Sequence, residues 1–121
     1  MDELKLCESD FRFMDIVWEN EPVSSGKLVE LCTDKLGWKK STTYTVLKRL
    51  CEKGIFENIG GSVTVKISRD AFYALQSQQF VENAFQGSLP AFLAAFTNGK
   101  KLSAQEVAQL RQMVQSFEED I

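Results

Sequence analysis

Apolar side chains in the first third of the chain recur at the spacings of three and four residues that are typical of amphipathic helices. Ser9 can cap the first of these stripes, which predicts a helix over residues 10–20 that ends before a proline. A second helix follows Ser24 or Ser25, either of which can cap it, and Gly37 ends it. The apolar positions expected to face inward are Phe11, Met14, Val17 and Trp18, then Leu28, Leu31, Cys32 and Leu36.

A third helix is predicted to begin within residues 39–41 and to run to about Lys53, with Gly54 as its stop. At about 100° per residue, its two sides differ in chemistry. The inward side carries Thr43, Val46, Leu47 and Leu50, and the outward side carries Ser41, Thr42, Tyr44, Thr45, Lys48 and Arg49. Because serine, threonine and tyrosine have only middling helix propensity, a requirement other than helix stability is expected to account for them.

After the third helix the apolar period changes to two, which indicates strands. Residues 55–59 and 62–67 flank Gly60-Gly61, and two adjacent glycines that tolerate positive φ predict a β-hairpin with a two-residue turn. One hairpin alone is marginally stable, so its apolar face is expected to lie against the helices.

The helical period returns after Ser68 and predicts three further helices. A long one runs to about Gln86, and a short apolar one covers residues 92–96 after a break that contains Pro90. The last has the strongest start signal, because Ser103-Ala-Gln-Glu106 has the pattern of a capping box. Its apolar seam consists of Val107, Leu110, Val114, Phe117 and Ile121.

Three helices followed by a hairpin are the order of a winged helix-turn-helix. We therefore predict a mainly α fold with a small β-hairpin wing, in which residues 1–70 form the winged helix and residues 71–121 form a helical region. The helical region either packs back on the winged helix or meets a second copy of the chain, and we expect the second copy, because the first unit covers its own inward faces. The expected contact residues are Phe80, Phe85, Phe92, Phe96, Val107, Leu110, Val114 and Phe117.

Charge is unevenly distributed along the chain. The whole chain has a net charge of −3, yet residues 37–69 hold seven basic side chains against two acidic ones. The basic residues of this segment are Lys39, Lys40, Lys48, Arg49, Lys53, Lys66 and Arg69. A basic segment that coincides with the third helix and the hairpin favours a nucleic-acid partner.

The outward side of the third helix has the donors, acceptors and methyl groups that base edges in a DNA major groove require. Lys39 and Lys40 lie at the helix start, where free backbone N–H groups favour a phosphate. The residues expected to contact DNA are Lys39, Lys40, Ser41, Thr42, Tyr44, Thr45, Lys48 and Arg49, with Lys66 on the hairpin. Two alternatives remain, namely a solvated polar face and a winged helix that docks on proteins.

Other classes of function find little support in the sequence. The chain has no histidine, no nucleophile–base pair and no phosphate-binding glycine loop, so no enzyme, cofactor or metal site is expected. Cys7, Cys32 and Cys51 are expected to be small buried hydrophobic residues, with thiol sensing by Cys51 as the alternative. Without a membrane-spanning apolar run or a signal-peptide pattern, we expect a cytoplasmic protein.

Several segments together resemble the penicillinase and methicillin-resistance repressors of the BlaI/MecI/CopY type. They are ESDFRFMDIVW, VSSGKLVE, GWKKSTTYTVLKRLCEKG, QFVENAFQGSLPAFL and KKLSAQEVAQL, which extend over nearly the whole chain. The most specific is Trp38–Gly54, with its Thr-x-x-x-Leu-x-Arg-Leu-x-x-Lys-Gly core. The resemblance implies a dimeric bacterial repressor with a winged helix, a C-terminal three-helix dimerisation region and dyad-symmetric operators.

The resemblance also implies roles for particular residues. Thr42, Tyr44, Thr45 and Arg49 correspond to positions that face DNA, and Tyr44 stands where the best-known members have arginine. A sensor-linked protease inactivates the resistance repressors at an Asn-Phe bond, which corresponds here to Ala95-Phe96. Copper-responsive relatives have a cysteine-rich tail, whereas this chain ends in FEEDI. The inducing signal is therefore left open.

Overall fold

The computed structural model describes residues 6–120, and within them the chain is mainly helical with one small sheet. The predicted fold class of a winged helix followed by C-terminal helices is confirmed. In chain order the elements are α1 (Glu8–Asn20), β1 (Val23–Ser24), α2 (Ser25–Leu36), α3 (Lys40–Glu52), β2 (Phe56–Ile59), β3 (Ser62–Val65), α4 (Arg69–Phe85), α5 (Leu89–Phe96) and α6 (Ala104–Glu119). Contacts divide the chain into one unit that ends at Ser77 and another that begins at Gln78.

The core of the first unit is built mainly from α1, α2, α3 and the sheet, with Phe72 from the start of α4. Phe13 is fully buried, its ring lies 5.6 Å from that of Trp38, and it meets Phe56 edge-on at 6.4 Å. The indole N–H of Trp18 donates to the carbonyl of Ile67 at 3.1 Å, which joins α1 to the segment after β3. The buried apolar residues are Phe13, Met14, Ile16, Val17, Val23, Leu28, Cys32, Leu47, Leu50, Ile55, Phe56, Val63 and Phe72.

The start of α1 differs from the prediction. The helix begins at Glu8 with Cys7 at the cap position, so the expected cap by Ser9 is wrong. The carboxylate of Asp10 accepts the backbone N–H of Cys7 at 3.0 Å. Because Asp10 lies three residues after the cap, it occupies the return position of a capping box, and its carboxylate determines where the helix starts.

The hairpin of β2 and β3, which we call the wing, has the predicted turn. Ile59 pairs with Ser62, so only Gly60 and Gly61 lie between the strands, with φ of 59° and 85°. Positive φ at both positions is the requirement of a type I′ turn. A third strand, β1, extends the wing into a three-stranded sheet, since Val23 of β1 pairs with Val63 of β3. The sequence analysis missed this strand. A strand of two residues is too short to show a period of two.

The sequence signals for both ends of α2 and for the start of α6 are confirmed. The hydroxyl of Ser24 accepts the N–H of Lys27 at 3.1 Å, and Gly37 ends α2 with a φ of 69°. The capping box of α6 is confirmed, since Ser103 and Glu106 exchange two hydrogen bonds of 3.0 Å. These contacts satisfy backbone groups that have no partner inside the helices.

The short helix α5 begins earlier than predicted, at Leu89 and not at residue 92. Ser88 caps it by accepting the N–H of Ala91 at 3.1 Å. Pro90 therefore lies inside the first turn, where its missing N–H costs no hydrogen bond, and it is not part of a break. In the unit that begins at Gln78, the rings of Phe80, Phe85 and Phe92 are 5.6–6.0 Å apart and pack edge-on.

Candidate nucleic-acid interface

The inward side of α3 is held by the core. Thr43, Leu47 and Leu50 are at most 2% exposed, and Val46 is half-buried against the same core. Gly54, with a φ of 82°, ends the turn after the helix. The predicted division of α3 into two sides is confirmed, and burial of one side determines which residues point away from the protein.

The outward side of α3 is polar and open to solvent. All of its predicted members are exposed, namely Ser41, Thr42, Tyr44, Thr45, Lys48 and Arg49. Lys39 and Lys40 are exposed at the helix start, and the Lys40 ammonium lies 5.9 Å from the centre of the Tyr44 ring. No acidic residue lies within the first twelve residues of this helix, and its one acidic residue is the exposed Glu52 at the C-terminal end.

Lys66 is not part of this helix; it directly follows β3, the second strand of the wing. It is exposed, and its backbone N–H donates to the carbonyl of Ile55 at 3.0 Å. The wing tip itself has no charge, since Asn58, Ile59, Gly60 and Gly61 precede Ser62. The N–H of Ser25 donates to the carbonyl of Gly61 at 2.8 Å, so the start of α2 supports the wing tip.

Hydroxyl groups of α3 are partly committed to the helix itself. Thr45 Oγ1 donates to the carbonyl of Ser41 at 2.9 Å, and Thr43 Oγ1 reaches the carbonyl of Lys39 at 3.4 Å. A threonine hydroxyl has one hydrogen to donate. Thr45 therefore offers a partner its methyl group and the lone pairs of its oxygen.

Arg49 has an intramolecular partner that sequence reasoning missed. Its Nη2 donates to Oδ1 of Asp10, a side chain that is only 5% exposed, while the Arg49 side chain remains 46% exposed. The two residues are 39 positions apart in the chain and belong to α3 and α1. No local pattern indicates such a pairing, because it depends on how the two helices cross.

The cysteines differ in accessibility. Cys32 is buried and Cys51 is half-buried, as expected, but Cys7 is exposed, so the expectation of burial is wrong for that residue. Burial raises the pKa of the Cys51 thiol, and the carboxylates of Glu57 and Glu52 raise it further. Burial also raises the pKa of Cys32. A raised pKa lowers the thiolate fraction, which argues against Cys51 as a thiol sensor.

The second unit leaves apolar side chains open. Of the predicted contact residues, Phe80, Phe96, Val107, Leu110, Val114 and Phe117 are between 36% and 57% exposed. Sequence reasoning did not include Leu93 and Met113, which are 38% and 52% exposed. Phe85 and Phe92 are half-buried among their aromatic neighbours. The helix α6 contains no buried residue, so its seam is at least partly open to solvent within residues 6–120.

Two grooves run along α6. One is a pocket of about 340 Å³ lined by Phe92, Leu93, Phe96, Thr97, Leu102, Glu106, Gln109, Leu110 and Met113. The other is a pocket of about 620 Å³ lined by Leu102, Val107, Leu110, Arg111, Val114, Gln115 and Glu118. Leu102 and Leu110 line both pockets. Ile121, the last predicted seam position, lies outside the described residues.

The position that the family resemblance indicates for cleavage lies in α5. Ala95 and Phe96 are the last two helical residues, and Thr97 follows as the cap. The Lys100 ammonium lies 4.8 Å from the centre of the Phe96 ring. The bond between Ala95 and Phe96 is therefore part of an ordered helix end and not of an extended segment.

The described residues were also compared with the requirements of a metal site and of a membrane-spanning helix. Within residues 6–120 there is no group of three or more residues that could together hold a metal ion. No described helix has the length and apolar character needed to cross a bilayer. In the first unit, Asp15, Glu19 and Glu21 line an open pocket of about 440 Å³, where Asp15 accepts a hydrogen bond from Arg69 Nε at 3.0 Å.

Comparison with known proteins agrees with this geometry. A family model described as penicillinase repressor matches residues 6–116. The chain is 21% identical to a penicillinase repressor of Bacillus licheniformis over 115 residues, which are 92% of this chain and 90% of that protein. It is 28% identical over 120 residues to an uncharacterized 16.5 kDa protein in the ptsI 3′ region of Latilactobacillus sakei, covering 91% of this chain and 78% of that protein.

Proposed function

The chain belongs to the penicillinase repressor family, a family of transcriptional repressors, and we propose that it acts as a homodimer on dyad-symmetric operator DNA. In this proposal residues 1–70 bind DNA and residues 71–121 dimerise. The observation that carries it is the exposed side of α3, which has no acidic residue before Glu52 and whose opposite side is buried in the core.

We infer that α3 enters the major groove and that its residues divide between bases and backbone. Tyr44, Thr45 and Lys48 face base edges from the middle of the exposed side. Ser41 and Thr42, with Lys39 and Lys40, bind phosphate near the helix start, where the helix dipole is favourable. Arg49 at the flank and Lys66 on the wing bind the sugar-phosphate backbone.

Dimerisation follows from the apolar surface of the second unit. An exposed apolar seam of this length is costly in water, and covering it with an identical seam removes apolar area from both copies. A two-fold symmetric pair of recognition helices also matches two half-sites of a pseudo-palindrome. The residues proposed to form this contact are Phe80, Phe85, Phe92, Phe96, Val107, Leu110, Val114 and Phe117.

A sensor-linked protease is a further partner that the family suggests, with Ala95-Phe96 as the corresponding bond. Cleavage there requires local unfolding of the last turn of α5, since both residues are helical and proteolysis favours exposed, extended segments. The family asparagine is alanine in this chain. We therefore propose that any such protease recognises a different residue before the bond.

The test of DNA binding compares Lys48→Ala with Lys101→Ala, a control that removes an equal charge from an exposed position outside the first unit. The probe is a fluorescent duplex selected by the protein from a random-sequence library. Losing one charged contact is expected to weaken binding about tenfold in Lys48→Ala and to leave Lys101→Ala unchanged. Fluorescence anisotropy gives both affinities.

The salt dependence of the same binding provides the decisive control. The logarithm of affinity is expected to fall with the logarithm of salt concentration by about 0.9 per phosphate contacted. A flat titration, or equal affinity for the selected and the scrambled duplex, contradicts sequence-specific DNA binding. In that case a docking surface for proteins becomes the better interpretation of α3.

A further inference from the structure

Asp10 is a buried carboxylate whose two oxygens both have partners. Oδ2 accepts the backbone N–H of Cys7 at 3.0 Å, and Oδ1 accepts Nη2 of Arg49. A buried charge without a partner is strongly destabilising, so Asp10 needs Arg49 in the folded protein. The pairing also fixes a long, otherwise mobile side chain at the edge of the DNA-facing side of α3.

Arg49 retains donors for a second acceptor. A guanidinium has five N–H donors in one plane, and among the described residues Arg49 donates to Asp10 only through Nη2. About half of its side chain is open to solvent. The rigid fork can therefore bind Asp10 on one edge and a phosphate on another, which an ammonium cannot do with the same geometry.

The charge of Asp10 does not cancel this attraction. Asp10 lies in the first turn of α1, where the positive end of the helix dipole and the Cys7 N–H compensate its negative charge. The Asp10 side chain is only 5% exposed, whereas the Arg49 side chain is 46% exposed, so an approaching phosphate meets the positive partner first.

We propose that Asp10 is a positioning residue, which holds the Arg49 guanidinium in the orientation that binds one phosphate of the DNA backbone. This inference rests on the proposed function, because it needs α3 in the major groove. Fixing the side chain before binding reduces the entropy lost when the contact forms. A phosphate contact is independent of sequence, so Asp10 contributes to affinity and not to base preference.

The test uses Asp10→Asn, which has nearly the same shape and can still accept the Cys7 N–H. Removing a negative charge from a DNA-binding protein is expected on charge alone to tighten binding. Positioning predicts the opposite, namely binding about tenfold weaker to both the selected and the scrambled duplex. The salt slope is expected to decrease by about 0.9, the value of one phosphate.

Asp15→Asn is the matched control. It also removes a carboxylate from α1 that is paired with an arginine, but its partner Arg69 lies in α4 and not in α3. Binding by Asp15→Asn is expected to equal or exceed that of the unchanged protein. Asp10→Glu keeps the charge and is expected to recover the salt slope, which a general loss of stability does not explain.

A double variant tests whether Asp10 acts on DNA binding through Arg49 or independently of it. Asp10→Asn is expected to cause no further loss in an Arg49→Met protein, because Arg49 transmits the effect. Circular dichroism confirms that each variant is folded at the measuring temperature. If Asp10→Asn does not fold, Arg49→Lys replaces it, since lysine keeps the charge but not the fork, and the same loss of slope is expected.

Two results overturn the inference without affecting the proposed function. In the first, Asp10→Asn, or Arg49→Lys where it replaces that variant, binds both duplexes as tightly as the unchanged protein and with the same salt slope. In the second, the losses caused by Asp10→Asn and Arg49→Met add up in the double variant. Failure of the proposed function looks different. There the unchanged protein has no salt-dependent affinity for either duplex, whatever residue stands at position 10.

Discussion

Thr45 uses its hydroxyl hydrogen inside α3, where Oγ1 donates to the carbonyl of Ser41 at 2.9 Å. Its exposed methyl group is then the part best suited to a base edge, and the methyl group of thymine is the apolar feature of the major groove. Arg49 is committed in a comparable way to Asp10. At the scale of single residues, intramolecular hydrogen bonds decide which atoms on the exposed side of α3 remain available to a partner.

We predict that Thr45→Val keeps the affinity for the selected duplex, because valine has the same shape and retains the methyl group. Thr45→Ser removes the methyl and is expected to weaken binding about fourfold, the effect of about 0.8 kcal/mol for one buried carbon. Fluorescence anisotropy with duplexes that carry uracil in place of each thymine locates the contact. Weak binding by Thr45→Val together with normal binding by Thr45→Ser would mean that the hydroxyl oxygen of Thr45, and not its methyl group, contacts the base.

The helix α6 begins where short-range chemistry indicates, at the Ser103 cap. The pKa of Glu106 is lowered because its carboxylate accepts the backbone N–H of Ser103 and, secondarily, because of its bond with the Ser103 side chain. The ionised carboxylate is therefore the form that stabilises the start of α6. This contribution is fully present above the ordinary carboxyl pKa and is lost as the pH falls through the lowered one.

We predict that Glu106→Gln lowers the thermal midpoint of unfolding near neutral pH, because an amide is a weaker acceptor than a carboxylate. The difference from the unchanged protein is expected to persist down to the ordinary carboxyl pKa of about 4.3 and to disappear as the pH falls through the lowered pKa of Glu106, where the carboxyl is protonated. Circular dichroism melts at one fixed protein concentration measure it. A difference that persists unchanged in acid excludes the ionised cap as its source.

At the scale of the whole molecule, the two units differ in how far their apolar side chains are exposed to solvent. The unit that ends at Ser77 buries a continuous apolar core, whereas α6 leaves its seam exposed. Leu110 is central to this seam, because it lines both pockets along the helix. The proposed self-association through the second unit would account for such side chains at the surface.

We predict that Leu110→Asp converts the proposed dimer into a monomer. An unpaired carboxylate buried at an interface costs several kcal/mol, which raises the dissociation constant at least about a hundredfold. Gln112→Asp is the matched control, since it adds the same charge to α6 at a position that lines neither pocket. Analytical ultracentrifugation measures the mass of each. A dimeric Leu110→Asp protein places the contact elsewhere.

Short-range patterns predicted most of the elements and the side of α3 that is exposed. Apolar residues three and four apart, the Ser103 cap and the Gly60-Gly61 turn each depend on a few consecutive residues. Such signals have nearly the same meaning in any fold, because helix caps and tight turns satisfy their backbone groups locally. The α3 residues predicted to contact DNA were accessible to sequence reasoning for this reason, although their roles await the DNA-binding tests.

Only the tertiary structure decided the features that join distant parts of the chain. The strand β1 exists because Val23 finds a partner in Val63, and Asp10 is buried because Arg49 reaches it across 39 positions. Cys7 is exposed although its residue type favours burial. Amino-acid order determines local conformation through contacts a few residues apart, whereas long-range partners depend on how completed helices and strands pack together.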